Sequence, residues 1–500
     1  MKKRRIATLA LSTVMAFGVA ASAASCGGGS SASVVTLVTI YNEPIFALAA
    51  RLYMEEHPDK TIITQPIPYD GAADTLKTQL IAEVAPEIML VEEPDDFANL
   101  GLLLDFNNYI KGENSYADTK NWSTVFEDGY IDLAKDSNNR LNWVPFSLYG
   151  IGVYTNLSQY KAAGVEETPE TLTEFLAAGE KLKTKGYTPW GVSIGYNDAQ
   201  ILWPLEMMSQ AFFRSLIPEI NLLHADGWTF DPNDPTCIYG EKISPEEQYL
   251  AFKKGLIDPV KSERVRSMYE IMLKMKPLWN DDFVSKDGNM MYTDFPNGEH
   301  THFMNGTWYL PQLTGIFNDL KKGGNEDKVF EYDIIPFPKA TSEDTQFLDA
   351  GAMNDIVKIR NGFIVPNYLS KAKTELAVDF IKFMSSPEVA QKMFALKNDL
   401  TGYPYCGDIS LLKGVEGMEE AAKLKPDIKY ADLVSYEMYY DAQDKDLFII
   451  DYEKLLTGKY TMNQFLKARS ESNLAALERN LRLYASMIDR KWLDEELKKL

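Results

Sequence analysis

Between Val34 and Val91 the chain alternates strand-type and helix-type stretches, and that alternation constrains the fold more than any other feature. Val34 to Tyr41 is a β-branched run that predicts a buried strand. Pro44 suits a first helical position, and Ile45, Leu48, Ala49 and Leu52 recur at helical spacing in a helix that ends before Pro58. Thr61 to Tyr69 predicts a second strand. Asp74 is placed to cap a helix carrying Leu76, Leu80 and Val84, and Pro86 stops it before a third strand at Glu87 to Val91. A βαβαβ order implies α/β architecture with a parallel sheet flanked by helices. Ligands of such sheets sit beyond the carboxyl ends of the strands. That position gathers Tyr41, Asn42 and Glu43 beside Glu92 and Glu93. No G-x-G-x-x-G follows the first strand and no P-loop occurs, so a nucleotide is not expected there.

Composition narrows the partners. Acidic residues outnumber basic ones by 72 to 51, a net charge of −21 that disfavours a nucleic-acid partner. With 3 cysteines and no C-x-x-C, a disulfide framework, a zinc ribbon and a redox motif are excluded. Cys237 and Cys406 leave open either a disulfide or two separate thiols.

The amino terminus names a compartment. Met1-Lys2-Lys3-Arg4-Arg5 is a positive leader, Ile6 to Val19 is an apolar stretch of secretory length, and small residues run up to Cys26. This reads as a signal peptide over 1–25, with Cys26 resembling the lipidated cysteine of a bacterial lipobox. Ala23 stands where that motif usually has Leu. Loss of the leader removes four positive charges and takes the net charge to −25. Residues 26–33 are Gly/Ser-rich and predict a flexible tether. The expected location is the outer face of the cell membrane, extracellular or periplasmic, with contact to the bilayer through the lipid.

Further along, the chain carries an ordered set of short motifs: Pro145-x-Ser147, Val153-Tyr154-Thr155-Asn156, Ala163-Gly164-Val165 and Pro169-x-Thr171-x-x-Glu174-Phe175. Thr171 and Glu174 form a capping box. Trp203-Pro204, Met304-Asn305-Gly306-Thr307-Trp308, Ile335-Pro336-Phe337-Pro338, Ala377 to Pro387, and Leu456-Thr457-Gly458-Lys459 with Phe465-Leu466 follow in order. Over roughly residues 34 to 480 the chain resembles the carbohydrate-type (family 1) extracellular solute-binding proteins of bacterial ATP-binding-cassette (ABC) importers. It is longer than usual for that family, and the stretches 213–300 and 405–450 have no counterpart in the resemblance.

The resemblance implies a two-lobed, periplasmic-binding-protein-like clamp of type II, each lobe a mostly parallel sheet with flanking helices. One lobe would comprise 34–146 plus 359–402, the other 150–355 plus 405–500. Crossing strands near 146–150 and 358–365 would form the hinge, with Gly150, Gly152 and Gly362 absorbing rotation. It further implies that Tyr149, Trp203 and Trp308 cover sugar faces, while Asp198, Arg360, Asn361 and the first-lobe acids reach hydroxyls. The implied partners are a carbohydrate ligand and an ABC permease; no cofactor, metal or catalysis is expected, and the receptor would be a monomer. A receptor for a phosphorylated polyol or a peptide, and a secreted carbohydrate-active hydrolase, are the rival readings.

Two motifs support other chemistry. Gly191-Val192-Ser193-Ile194-Gly195 fits the nucleophile elbow, yet Tyr196-Asn197-Asp198-Ala199-Gln200 continues as a loop rather than the required helix. Glu299 with His300 and His302 suggests a metal, but no third ligand is evident in sequence, and a loop histidine pair is expected instead. Leu474, Leu477, Leu481, Tyr484 and Ile488 follow a near-heptad spacing too short for a coiled coil, so packing against the second lobe is expected.

Overall fold

A computed structural model describes residues 31–500 apart from 42, 70, 93, 99, 137–138, 195–201, 223–242, 348–355, 400–401, 425–438 and 484–489. The leader, Cys26, Asn42, Glu93, Asp198, Cys237, Tyr484 and Ile488 therefore lie outside the described residues.

The first three strands are β1 (Val34–Thr39), β2 (Thr61–Pro66) and β3 (Ile88–Val91). β1 runs parallel to both others, from Val34 opposite Thr61 on one side and Leu37 opposite Ile88 on the other. Helices Glu43–Glu56 and Ala72–Ile81 make the connections. The second helix starts at Ala72 because Gly71 adopts a φ of 75° just before it, so Asp74 sits in the first turn and is not the cap. A carboxylate there still favours the helix through its positive end.

Two long strands then cross the molecule. β4 (Val144–Asn156) is followed by β5 (Thr188–Gly191), β6 (His300–Gly306), β7 (Tyr332–Ile335), β8 (Ile356–Ile364) and β9 (Ile409–Ser410). The sheet order is β2-β1-β3-β8-β4-β6-β5, with β7 and β9 also on β4. Parallel pairs occupy its two outer parts, β2-β1-β3 and β6-β5. The crossing strands β4 and β8 pair antiparallel with each other, from Val144 opposite Phe363 to Ile151 opposite Ile356.

Apolar side chains gather into separate cores. The first takes Val35, Leu37 and Val38 of β1, all of β3, Phe146, Phe363 to Val365 and the inner faces of helices Lys371–Met384 and Pro387–Phe394. The second takes Ile151, Val153, Phe175, Trp190, Met304 and the helices beyond. Each fully buried Leu, Ile, Val or Phe stabilises the fold by about 1.5–3 kcal/mol relative to exposure. β4 thus leaves the first core after Phe146 and enters the second at Ile151, with Leu148 in a smaller cluster around Tyr154 and Tyr309.

The stretches 213–300 and 405–450 contribute helices to the second core. Helices Pro245–Lys254, Glu263–Met275 and Ala442–Leu456 pack there with Met462–Leu483. Leu477 is fully buried, as packing against this lobe requires. Arg469 donates to Asp444 at 2.6 Å and Arg479 grips Asp441 through two nitrogens, which pins the last helices together. Breaking a buried pair such as Arg469–Asp444 typically costs about 3–5 kcal/mol.

The glycines of the crossing strands are also places of close packing. A Cβ on Gly150 would stand 2.7 Å from Leu424 Cβ, one on Gly152 2.6 Å from Ile334 Cγ2, and one on Gly362 2.3 Å from Trp143 Cε3. Close packing therefore requires glycine at these three positions. The irregularity in the β4–β8 ladder falls instead around Ser147, where the register shifts twice.

Candidate functional site

Tyr149 is the one residue of β4 that is not fully buried. Its place explains why: it lies between Phe146, in the first core, and Ile151, in the second. Five residues of strand span roughly 17 Å between the two cores, and Tyr149 is the one side chain among them that reaches solvent. Trp308 comes to Tyr149 edge-on, with ring centroids 5.1 Å apart at 74°. Trp203 comes to Trp308 at 6.0 Å and 70°. Three aromatic rings from β4, from the turn after β6, and from helix Leu202–Phe213 thus meet on the edge of the second core, each partly exposed. Edge-to-face geometry of this kind is favourable for the rings.

Local structure sets the Trp308 ring. β6 ends at Gly306, and a Cβ there would lie 2.0 Å from Trp308 Cζ3. The ring therefore folds back over the glycine. On its other side, Trp308 Nε1 donates to the Tyr292 hydroxyl at 3.4 Å. Gly306 and Tyr292 are not among the sequence candidates; the Gly-x-Trp spacing was the available signal for the first, and none existed for the second.

The carboxyl ends of β1 and β3 open a cavity of about 290 Å³ lined by Ile40, Tyr69, Gly71, Asp74, Glu92 and Phe97. Glu92 accepts a hydrogen bond from Tyr69 at 2.7 Å, which orients the carboxylate. Tyr41 packs on the first core beside this end of β1. Glu43 turns instead toward β2, accepting from Thr64 at 3.3 Å.

Asn361 occupies the interior. It is 1% exposed, and the Ser147 hydroxyl lies 2.9 Å from both its amide oxygen and Asp408 Oδ2. It joins the crossing strands to the segment after them. Arg360 lies next to it on β8.

The elbow reading meets a physical obstacle. Ser193 is fully buried and donates its hydroxyl proton to the Lys286 carbonyl at 2.8 Å. The histidine pair belongs to β6 and not to a loop. His302 is buried with Nδ1 2.6 Å from the Pro189 carbonyl and Nε2 2.6 Å from the Tyr160 hydroxyl. Burial pushes its pKa down to about 3, so the ring is neutral at pH 7. Burial also lowers His300, against the opposing pull of Asp294.

Residues 49–407 match the family described as bacterial extracellular solute-binding protein. A search among curated proteins finds no match. Solved structures share the fold. A chitin oligosaccharide binding protein aligns with a TM-score of 0.60 at 17% identity. A family 1 extracellular solute-binding protein from Bifidobacterium longum subsp. infantis aligns at 0.60 and 16%, and RafE in complex with raffinose at 0.58 and 15%. Each alignment covers 89% of this chain and 99% of the other. No helix among the described residues is long and apolar enough to cross a membrane.

Proposed function

Because this chain belongs to the bacterial extracellular solute-binding proteins, we propose that it captures a neutral sugar or oligosaccharide between its two lobes and delivers it to an ABC permease. The observation that carries this reading is the partly exposed group of Tyr149, Trp203 and Trp308 on the edge of the second core. Sugar rings present C–H faces that stack on such aromatics and hydroxyls that need oriented acceptors. Glu92, held by Tyr69, supplies such an acceptor on the first lobe. Tyr41, Asn42, Glu43, Glu93, Asp198 and Arg360 remain proposed contacts, and the lobes divide at 146–150 and 358–365. Cys26 carries the lipid that holds the receptor at the membrane.

The decisive experiment incubates the mature protein with a glycan panel headed by chitin oligosaccharides and raffinose, which name two of the structural neighbours. The reading predicts saturable binding by calorimetry, smaller dimensions in solution scattering, and chemically intact sugar on recovery. Cleaved product would favour the hydrolase, and binding confined to a phosphorylated polyol or a peptide would favour the other receptor reading.

A further inference from the structure

The turn that leads from helix Gly288–Asp294 into β6 brings together the third ligand-type group that the sequence does not reveal. Asp294, Glu299 and His300 each offer one ligand atom, and these atoms lie within 4.8 Å of one another. Asp294 and His300 are both 4% exposed, whereas Glu299 is exposed. Among the described residues neither His300 Nδ1 nor His300 Nε2 has a hydrogen-bond partner. A buried imidazole left this way is destabilising unless a ligand satisfies it. His302, two residues on, has both nitrogens engaged, so the contrast is local to His300.

The turn itself is firmly built. Glu299 N donates to Asp294 O at 3.1 Å, Gly298 N to Phe295 O at 2.8 Å, and Gly298 adopts a φ of 75°. Gln159 braces the exit of the turn, donating to Gly298 O at 2.8 Å and accepting from Thr301 Oγ1 at 2.6 Å. The backbone that carries the three groups is therefore fixed before any ligand arrives.

We propose that Asp294, Glu299 and His300 bind a borderline divalent cation of the Zn²⁺ class, through one imidazole nitrogen and two carboxylate oxygens with water completing the shell. One nitrogen with two carboxylates suits such an ion better than Mg²⁺ or Ca²⁺, which prefer all-oxygen shells. Lys286 is the competitor: its Nζ stands 2.5 Å from Asp294 Oδ2, which in turn lies 3.8 Å from His300 Nε2. Lys286 Nζ is also 3.6 Å from Asp282 Oδ2. A short swing to Asp282 frees Asp294, and the cation, Lys286 and three carboxylates then sum to zero charge. The bound ion would tie the helix to the strand whose far end presents Trp308.

The test uses tag-free mature protein stripped of metal by chelator, with Zn²⁺ alone as the probe and Mg²⁺ and Ca²⁺ as controls. Calorimetry should show one Zn²⁺ per chain and a raised melting temperature, with no comparable effect from the controls. His300→Gln and Asp294→Asn should each weaken binding at least tenfold, and Lys286→Met should tighten it. Glu299→Gln, on an exposed residue, keeps the test valid if the buried variants misfold, and it too should weaken binding. Absence of saturable Zn²⁺ binding in both wild type and Lys286→Met overturns the site. Zn²⁺ affinity unchanged in folded His300→Gln or Glu299→Gln also overturns it, by assigning the ion to the acidic surface.

Discussion

Gly306→Ala isolates the part played by the Trp308 ring. The backbone at Gly306 has a φ of −83°, which any residue adopts, so the demand for glycine comes from the ring alone. An added methyl would lie 2.0–2.3 Å from Trp308 Cζ3, Cε3 and Cη2. Carbon contacts settle near about 3.5–4.0 Å, so the ring must retreat by roughly 1.5 Å. A stacking ring in a desolvated site contributes about 1–3 kcal/mol, by analogy with base stacking. Its displacement should therefore weaken the best glycan roughly five- to a hundredfold. Calorimetry on Gly306→Ala, Trp308→Ala and the double variant forms a thermodynamic cycle. If Gly306 acts through the ring, it adds no further loss once Trp308 is gone. An equal loss from Gly306→Ala in both backgrounds would refute this reasoning.

Three other outcomes follow from the same structure. Gly362→Ala drives a methyl against Trp143, and denaturant unfolding should show a loss of about 1–3 kcal/mol typical of overpacking. His302 titrates near 6.5 when unfolded and near 3 when folded, so the unfolded chain binds the extra proton as pH falls below 6.5. Its contribution is present above that pH and declines by about 2 kcal/mol between pH 7 and 5; the stability gap between wild type and His302→Gln should narrow by that amount, and a constant gap would contradict it. Cys26→Ser should release the protein from the membrane fraction or block leader removal, and normal processing with full retention would exclude the anchor.

The βαβαβ opening was legible because strand and helix periods differ, and β1 to β3 follow the predicted order within two or three residues. Capping chemistry was legible too: Thr171 and Glu174 form their box. The close packing of Leu424 and Trp143 on the crossing-strand glycines was not legible, because those partners are distant in sequence. Asn361 reads as a cleft amide by position, yet Ser147 and Asp408, distant in sequence, enclose it. Asp294 was invisible as a partner of His300 for a related reason: proximity across a turn depends on how that turn closes. The meeting of Trp203 with Trp308 likewise required the sheet that carries β6 past β4.

The central claim is that the aromatic group of Tyr149, Trp203 and Trp308 holds a sugar. It is tested most directly by calorimetric affinity of the best glycan for wild type, Trp308→Ala and Trp203→Ala, each paired with a ligand-free melt. The account predicts a roughly fivefold or greater loss of affinity in Trp308→Ala with a melting temperature close to wild type. Wild-type affinity in folded molecules of both variants, or a collapse of ligand-free stability with affinity per folded molecule unchanged, would contradict it.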